Sequence, residues 1–116
     1  MIDRTKGFFD EPAETMSPAD RAAFQAERLR ETVGHAYENA PATRRRLDAA
    51  GVSPESVKGL SDLAAIPPVR KAELKGIQKE ELPFGGLAAL PPRGMRRIYV
   101  SPGPTYDPEG RDESHW

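Results

Sequence analysis

Apolar residues recur at steps of three and four from Ala22 to Ala40: Ala22, Ala26, Leu29, Val33, Ala36, Tyr37 and Ala40. That spacing draws one stripe along a helix. Arg21, Glu27, Arg28, Arg30, Glu31 and Glu38 lie off the stripe. Ser17-Pro18-Ala19-Asp20 supplies the start, since Ser accepts a backbone N–H at the N-cap and Pro loses nothing at the first helical position. Asp20 sits at the positive end of the helix dipole. Pro41 ends the helix by opposing helical geometry at the residue before it. The pattern predicts a helix over about 18–39, with Leu29, Val33 and Tyr37 facing inward. Gly34 inside it costs about 1 kcal/mol relative to Ala, which points to close approach of another element or to simple tolerance.

The elements that follow are shorter. Pro41 can open a helix over 42–50, closed by Gly51 as a left-handed cap. Its Arg44-Arg45-Arg46 run could be an anion or RNA patch. A solvated helix face is the preferred reading, because three consecutive helical residues spread too far around the axis to make one patch. Ser53-Pro54-Glu55 opens a single turn. Ser61-Asp62-Leu63 starts a short helix that stops before Pro67-Pro68. Residues 70–79 form a last helix, with Ala72, Leu74 and Ile77 apolar. Residues 1–16 read as an irregular arm, with Phe8-Phe9 docking it onto the body in preference to serving as a partner-binding motif.

The character changes at Glu81. Six of the 12 prolines fall between Pro83 and Pro108, which excludes helix from most of that stretch. Arg97-Ile98-Tyr99-Val100 is the one good strand candidate. The residues from Ser101 to Gly110 read as a Pro/Gly-rich loop. With no second strong strand, the first either pairs with something outside the chain or is not a strand here. Gly110 to Trp116 leaves a Trp at the end with no element after it, and the expectation is a chain that stops before its fold does. The organisation is thus an arm over 1–16, a helical region over 17–80, and an incomplete segment over 81–116.

Composition narrows the picture. Leu, Ile, Val and Phe together number 21 of 116 residues, and 15 of the remaining apolar residues are Ala. Ala buries little area, so the core is expected to be thin and the chain marginally stable. A net charge of −1 argues against nucleic acid as the main partner. No apolar run approaches a membrane span and no signal-peptide pattern opens the chain, so a soluble, cytoplasmic protein is expected. The absence of Cys excludes disulfides and thiolate metal sites.

Candidate chemistry is sparse. The two histidines, His35 and His115, lie 80 residues apart without metal-site spacing, so no metal is expected. His35 neighbours the apolar stripe and reads as a packed or surface residue. No nucleophile elbow or Walker pattern is present. The strand followed by Ser101, Gly103 and Thr105 is the single constellation of interest. Backbone N–H groups and hydroxyls on such a loop can face phosphate oxygens, with Gly admitting close approach. Pro102 and Pro104 remove two donors, however, and Asp107 and Glu109 repel phosphate. On the residues alone, an ordinary turn-rich loop is the preferred reading.

An ordered set of short motifs resembles the N-terminal part of the phenylacetate–CoA ligase family. These are Glu27-Arg28-Leu29-Arg30, Ala36 to Pro41, Arg44 to Val52, Ser61 to Pro67 with Lys71-Ala72-Glu73-Leu74, Leu82-Pro83-Phe84-Gly85, and Arg97-Ile98 leading into a Ser/Gly/Thr loop. The resemblance covers about residues 8–110 and implies an α/β adenylate-forming ligase domain, of which this segment is mainly α. It implies ATP-dependent conversion of an aryl or acyl acid to an acyl-adenylate, then transfer to coenzyme A, with Mg in the complete protein. Against the family's phosphate loop, Ser-Ser-Gly-Thr-Thr-Gly-Lys-Pro, the residues Ser101, Gly103, Thr105 and Pro108 agree. Pro102, Pro104, Tyr106 and Asp107 depart, and Asp107 stands where the family places the Lys. Ser101, Gly103 and Thr105 are therefore the candidate ATP-binding residues, with no catalytic residue assigned. The leading expectation is a ligase fragment that is inactive alone. The alternatives are a non-catalytic binding or assembly module, with a partner chain completing the sheet, and an unrelated small helical domain.

Overall fold

A computed structural model describes residue 5 and residues 7–111. His115 and the Trp116 terminus lie outside the described residues. Helix α1 is one turn, Glu11–Glu14, within the arm read as irregular, and Asp10 caps it by accepting from Ala13 N–H at 3.1 Å. Helix α2 runs Pro18–Asn39 and α3 runs Pro41–Ala49. A single 3-10 turn at Pro54–Ser56 and a two-turn 3-10 helix at Leu60–Ala65 follow, then α4 at Lys71–Glu80. A last 3-10 turn, Pro92–Gly94, leads into β1, Met95–Ser101, and β2, Thr105–Gly110.

The Ser17 cap forms as its chemistry requires. Its Oγ accepts from the Asp20 N–H at 3.1 Å and its hydroxyl donates to the Asp20 carboxylate at 2.7 Å. Only the C-terminal half of α2 packs, however. Leu29, Val33 and Tyr37 meet Leu47, Val52, Val57 and Ile66 in a small core, whereas Ala22 is exposed and Phe24 is 49% exposed. The stripe continues past the point where there is anything to bury it against. The radius of gyration, 16.7 Å, exceeds the roughly 13 Å of a compact domain this long, in keeping with a helix that projects. The arm does not dock through its aromatics either, since Phe9 is 81% exposed. Arg21 donates to the Glu14 carbonyl at 3.1 Å instead.

Gly34 is tolerated rather than required, because a Cβ there meets nothing within 4 Å. Gly34→Ala is expected to stabilise the fold by up to about 1 kcal/mol, read as a higher denaturant midpoint at unchanged slope.

Helix α3 is the hub. Ala40, fully buried, is at once the C-cap of α2 and the N-cap of α3. The Ala42 N–H, left over at the helix start, donates to the Gly86 carbonyl at 2.9 Å. At the other end Gly51 takes φ +68°, and the N–H groups of Gly51 and Val52 return to Asp48 and Leu47 at 3.0 and 2.9 Å. This is the paired closure that a left-handed glycine permits, and it drops Val52 onto Leu47 in the core.

Arg44 and Arg45 are exposed, as the reading of a solvated face requires, and the three arginines form no patch, though each also reaches a partner. Arg44 donates to the Tyr37 and Glu38 carbonyls at 2.9 and 3.2 Å and lies 5.0 Å from the Tyr37 ring centre. Arg45 pairs with Glu81 at 2.7 Å, and Arg46 reaches the Pro68 carbonyl at 3.0 Å. Each fastens α3 to a different part of the chain.

Candidate functional site

The stretch expected to be an open loop from Ser101 to Gly110 is instead the turn and return strand of a hairpin. β1 and β2 are antiparallel, with Arg97 opposite Glu109, Ile98 opposite Pro108, Tyr99 opposite Asp107, Val100 opposite Tyr106 and Ser101 opposite Thr105. The lone strand therefore finds its partner within the chain. Thr105 to Gly110 was unreadable as a strand because Asp, Pro and Gly are poor strand formers.

The candidate residues Ser101, Gly103 and Thr105 do come together, at the closed end of this hairpin. Ser101 ends β1, Thr105 starts β2, and their hydroxyls are hydrogen-bonded to each other. Thr105 is buried and Ser101 half-buried. Gly103 takes φ +152° in the turn between them, flanked by Pro102 and Pro104. Within the three-residue turn only Gly103 has an N–H. Pro108, matched to the family loop, lies in mid-strand, and Asp107 is exposed on β2.

What places the hairpin is a residue the helical pattern passed over. Gln78 on α4 is buried and bonds both main-chain groups of Tyr106. Its Nε2 donates to the Tyr106 carbonyl at 2.8 Å, and the Tyr106 N–H donates to its Oε1 at 2.9 Å. The amide thus imitates one rung of a β-ladder. A polar residue one and four positions after Ile77 and Leu74 was the available signal, since it lies on their half-buried face.

On the outer surface Tyr99 donates to Glu109 at 2.7 Å, and Arg97 approaches the Tyr99 hydroxyl at 3.4 Å and Glu109 at 3.9 Å. Tyr99, chiefly through its hydrogen bond, and then the Glu109 charge hold the Arg97 guanidinium above its ordinary pKa. A concavity of about 740 Å³ lies between α2 and the end of the hairpin, lined in part by Thr32, His35, Leu90 and Glu109. Its charges are of mixed sign: Arg28 pairs with Glu31 at 2.8 Å, and Asn39 contacts the His35 ring at 3.3 Å. Among the described residues no group of three His, Asp or Glu could hold a metal ion, and no helix is long and apolar enough to cross a membrane.

No family model matches the chain. The phenylacetate-coenzyme A ligase of Aromatoleum evansii is 41% identical over 98 residues, which is 84% of this chain and 21% of that protein. The enzyme of the same name from Escherichia coli K12 gives the same figures, and that of Thermus thermophilus is 40% identical over 95 residues. The chain thus spans about a fifth of the length of the curated relatives it matches. Among solved structures, a 2-hydroxyisobutyryl-CoA ligase in the postadenylation state with 2-HIB-AMP superposes with a TM-score of 0.85 at 29% identity, over 96% of this chain and 24% of that one. Its open conformation, with 2-HIB-AMP and CoA, gives 0.84. The helical segment and hairpin of this chain are homologous to the N-terminal portion of the phenylacetate–coenzyme A ligases.

Proposed function

We propose that the chain serves as the N-terminal segment of an ATP-dependent acid–CoA ligase, which forms an acyl-adenylate from an aryl or acyl acid and then a thioester with coenzyme A. The observation that carries this reading is the joint agreement of sequence and fold over nearly the whole chain with ligases of that kind. ATP, coenzyme A, Mg and the acid substrate belong to the complete ligase. In that setting Ser101, Gly103 and Thr105 stand where the family's phosphate loop stands.

The described residues do not perform the reaction alone. The turn offers one main-chain donor, and the Ser101 and Thr105 hydroxyls bond each other. A carboxylate such as Asp107, about 4 Å from a phosphate charge, opposes it by roughly 1 kcal/mol in water and about 4 at a shielded site. Acyl transfer also needs donors preorganised around the reacting acid from several elements. This sparse turn favours a second reading, a family-derived segment that assembles or binds without holding nucleotide. The purified chain is expected to release no pyrophosphate from ATP on addition of phenylacetate. Release that depends on both acid and chain would overturn the claim of inactivity. ATP titration tests the turn itself: saturable binding lost on Ser101→Ala supports a phosphate-facing turn, and argues against the second reading.

A further inference from the structure

The Ser101 and Thr105 hydroxyls bond each other, but their surroundings differ. Thr105 is 3% exposed, whereas Ser101 is half-buried. A hydroxyl carries one proton and accepts through two lone pairs, and a buried O–H that donates to nothing is costly. Among the described residues Ser101 Oγ is the one side-chain partner of the Thr105 hydroxyl, and no buried side-chain polar atom lacks a hydrogen bond. Water reaches the half-buried Ser101 far more readily than it reaches Thr105. The cheapest arrangement therefore has Thr105 donating and Ser101 accepting, which leaves the Ser101 proton uncommitted. Thr105 also lies against the turn, since a Cβ at Gly103 would stand 3.6 Å from its N and 3.7 Å from its Cγ2.

We propose that Thr105 is a positioning residue rather than an anion ligand: its buried hydroxyl donates to Ser101 Oγ and so leaves the Ser101 proton for a phosphate oxygen at the turn. On the phosphate-facing reading of the turn, on which this rests, two groups then contact the anion. They are the Ser101 O–H and the Gly103 N–H, the single main-chain donor between Pro102 and Pro104. A hydroxyl that accepts a hydrogen bond becomes a better donor, because linked bonds polarise one another. Thr105 thus acts through Ser101 and needs no exposure of its own. The pairing that looks like two ligands consuming each other uses only one of their two protons.

The test has two arms on the isotopically labelled chain. In the first, a slowly exchanging hydroxyl proton is expected on Thr105, with a cross-peak to the Ser101 methylene. This arm needs no variant, so it holds even if a substitution unfolds the chain. In the second, ATP is titrated to millimolar and the Ser101 and Gly103 amides are followed. Weak saturable shifts are expected, since Asp107 still opposes phosphate. Thr105→Val keeps the branched shape and removes the proton, and it should weaken binding about fivefold or more, whereas Thr105→Ser restores the proton and should bind within about twofold of the parent. A hydroxyl proton on Ser101 that donates to Thr105, or Thr105→Val binding as well as the parent or better, overturns the proposal and leaves the phosphate-facing turn standing. Equal weakening by Val and Ser makes the methyl packing responsible and overturns it too. No shift, or shifts confined to residues outside the turn, overturns both the proposal and anion contact by the turn of this chain.

Discussion

Gly85→Ala is expected to destabilise the fold by about 3 kcal/mol, as the sum of two effects of different origin. Gly85 has φ +68°, a left-handed conformation that costs an L-residue roughly 1–2 kcal/mol. A Cβ there would also lie 2.6 Å from Ile77 Cγ2 and 2.9 Å from the Ile77 carbonyl carbon and oxygen. The side-chain methyl can rotate away, but the main-chain atoms of α4 cannot move without disturbing the helix. The loop must shift instead, and it is the loop that carries buried Phe84 and the Gly86 carbonyl that receives Ala42 N–H. Gly51→Ala is the control. It has the same φ, +68°, with nothing within 4 Å, so it should cost only the conformational part. Denaturant midpoints of the two variants at equal slope separate the terms. Equal losses would mean that the close approach to α4 has no energetic weight.

Gln78→Ala should release the hairpin from α4. It deletes two part-buried hydrogen bonds and leaves the N–H and C=O of Tyr106 without those partners. Each bond contributes about 1 kcal/mol net, and an abandoned buried group costs more, so a total loss of about 2–4 kcal/mol is expected. The amide proton of Tyr106 should lose exchange protection, while those in α2 keep theirs relative to the new global stability. Gln78→Glu keeps the shape and changes one donor to an acceptor. An ionised carboxylate accepts from the Tyr106 N–H but faces the Tyr106 carbonyl, so its folded pKa is raised. The stabilisation it gives is therefore present at low pH, below its unfolded pKa, and is lost as pH rises through the folded value. A Glu variant no more stable in mild acid, relative to the parent, would show that the rung carries little weight.

The helical region, a little over half of the chain, was legible because its signals are local. Ser17-Pro18, Pro41 and Gly51 each set a boundary through their own backbone chemistry, and α2 spans Pro18–Asn39. How far each helix is covered was not legible: Ala22 continues the stripe of Leu29 and Val33, yet only tertiary position leaves it exposed. The second strand was hidden for a related reason. Thr105 to Gly110 is poor in strand formers and is extended because β1 lies on one side and Gln78 on the other. The candidate residues Ser101, Gly103 and Thr105 were found by alignment to a loop pattern, which carries no information about the hairpin that holds them.

Arg44, Arg45 and Arg46 are neighbours in the chain that share no partner. One holds the end of α2, one meets Glu81 and one reaches the Pro68 carbonyl. Energetic coupling follows shared contacts rather than sequence proximity. The triplet therefore behaves as three unlinked positions, free to drift or be replaced one at a time, each constrained by a different remote piece of backbone. A run that looks like one charged feature is, in thermodynamic terms, three separate ties that happen to leave the same helix.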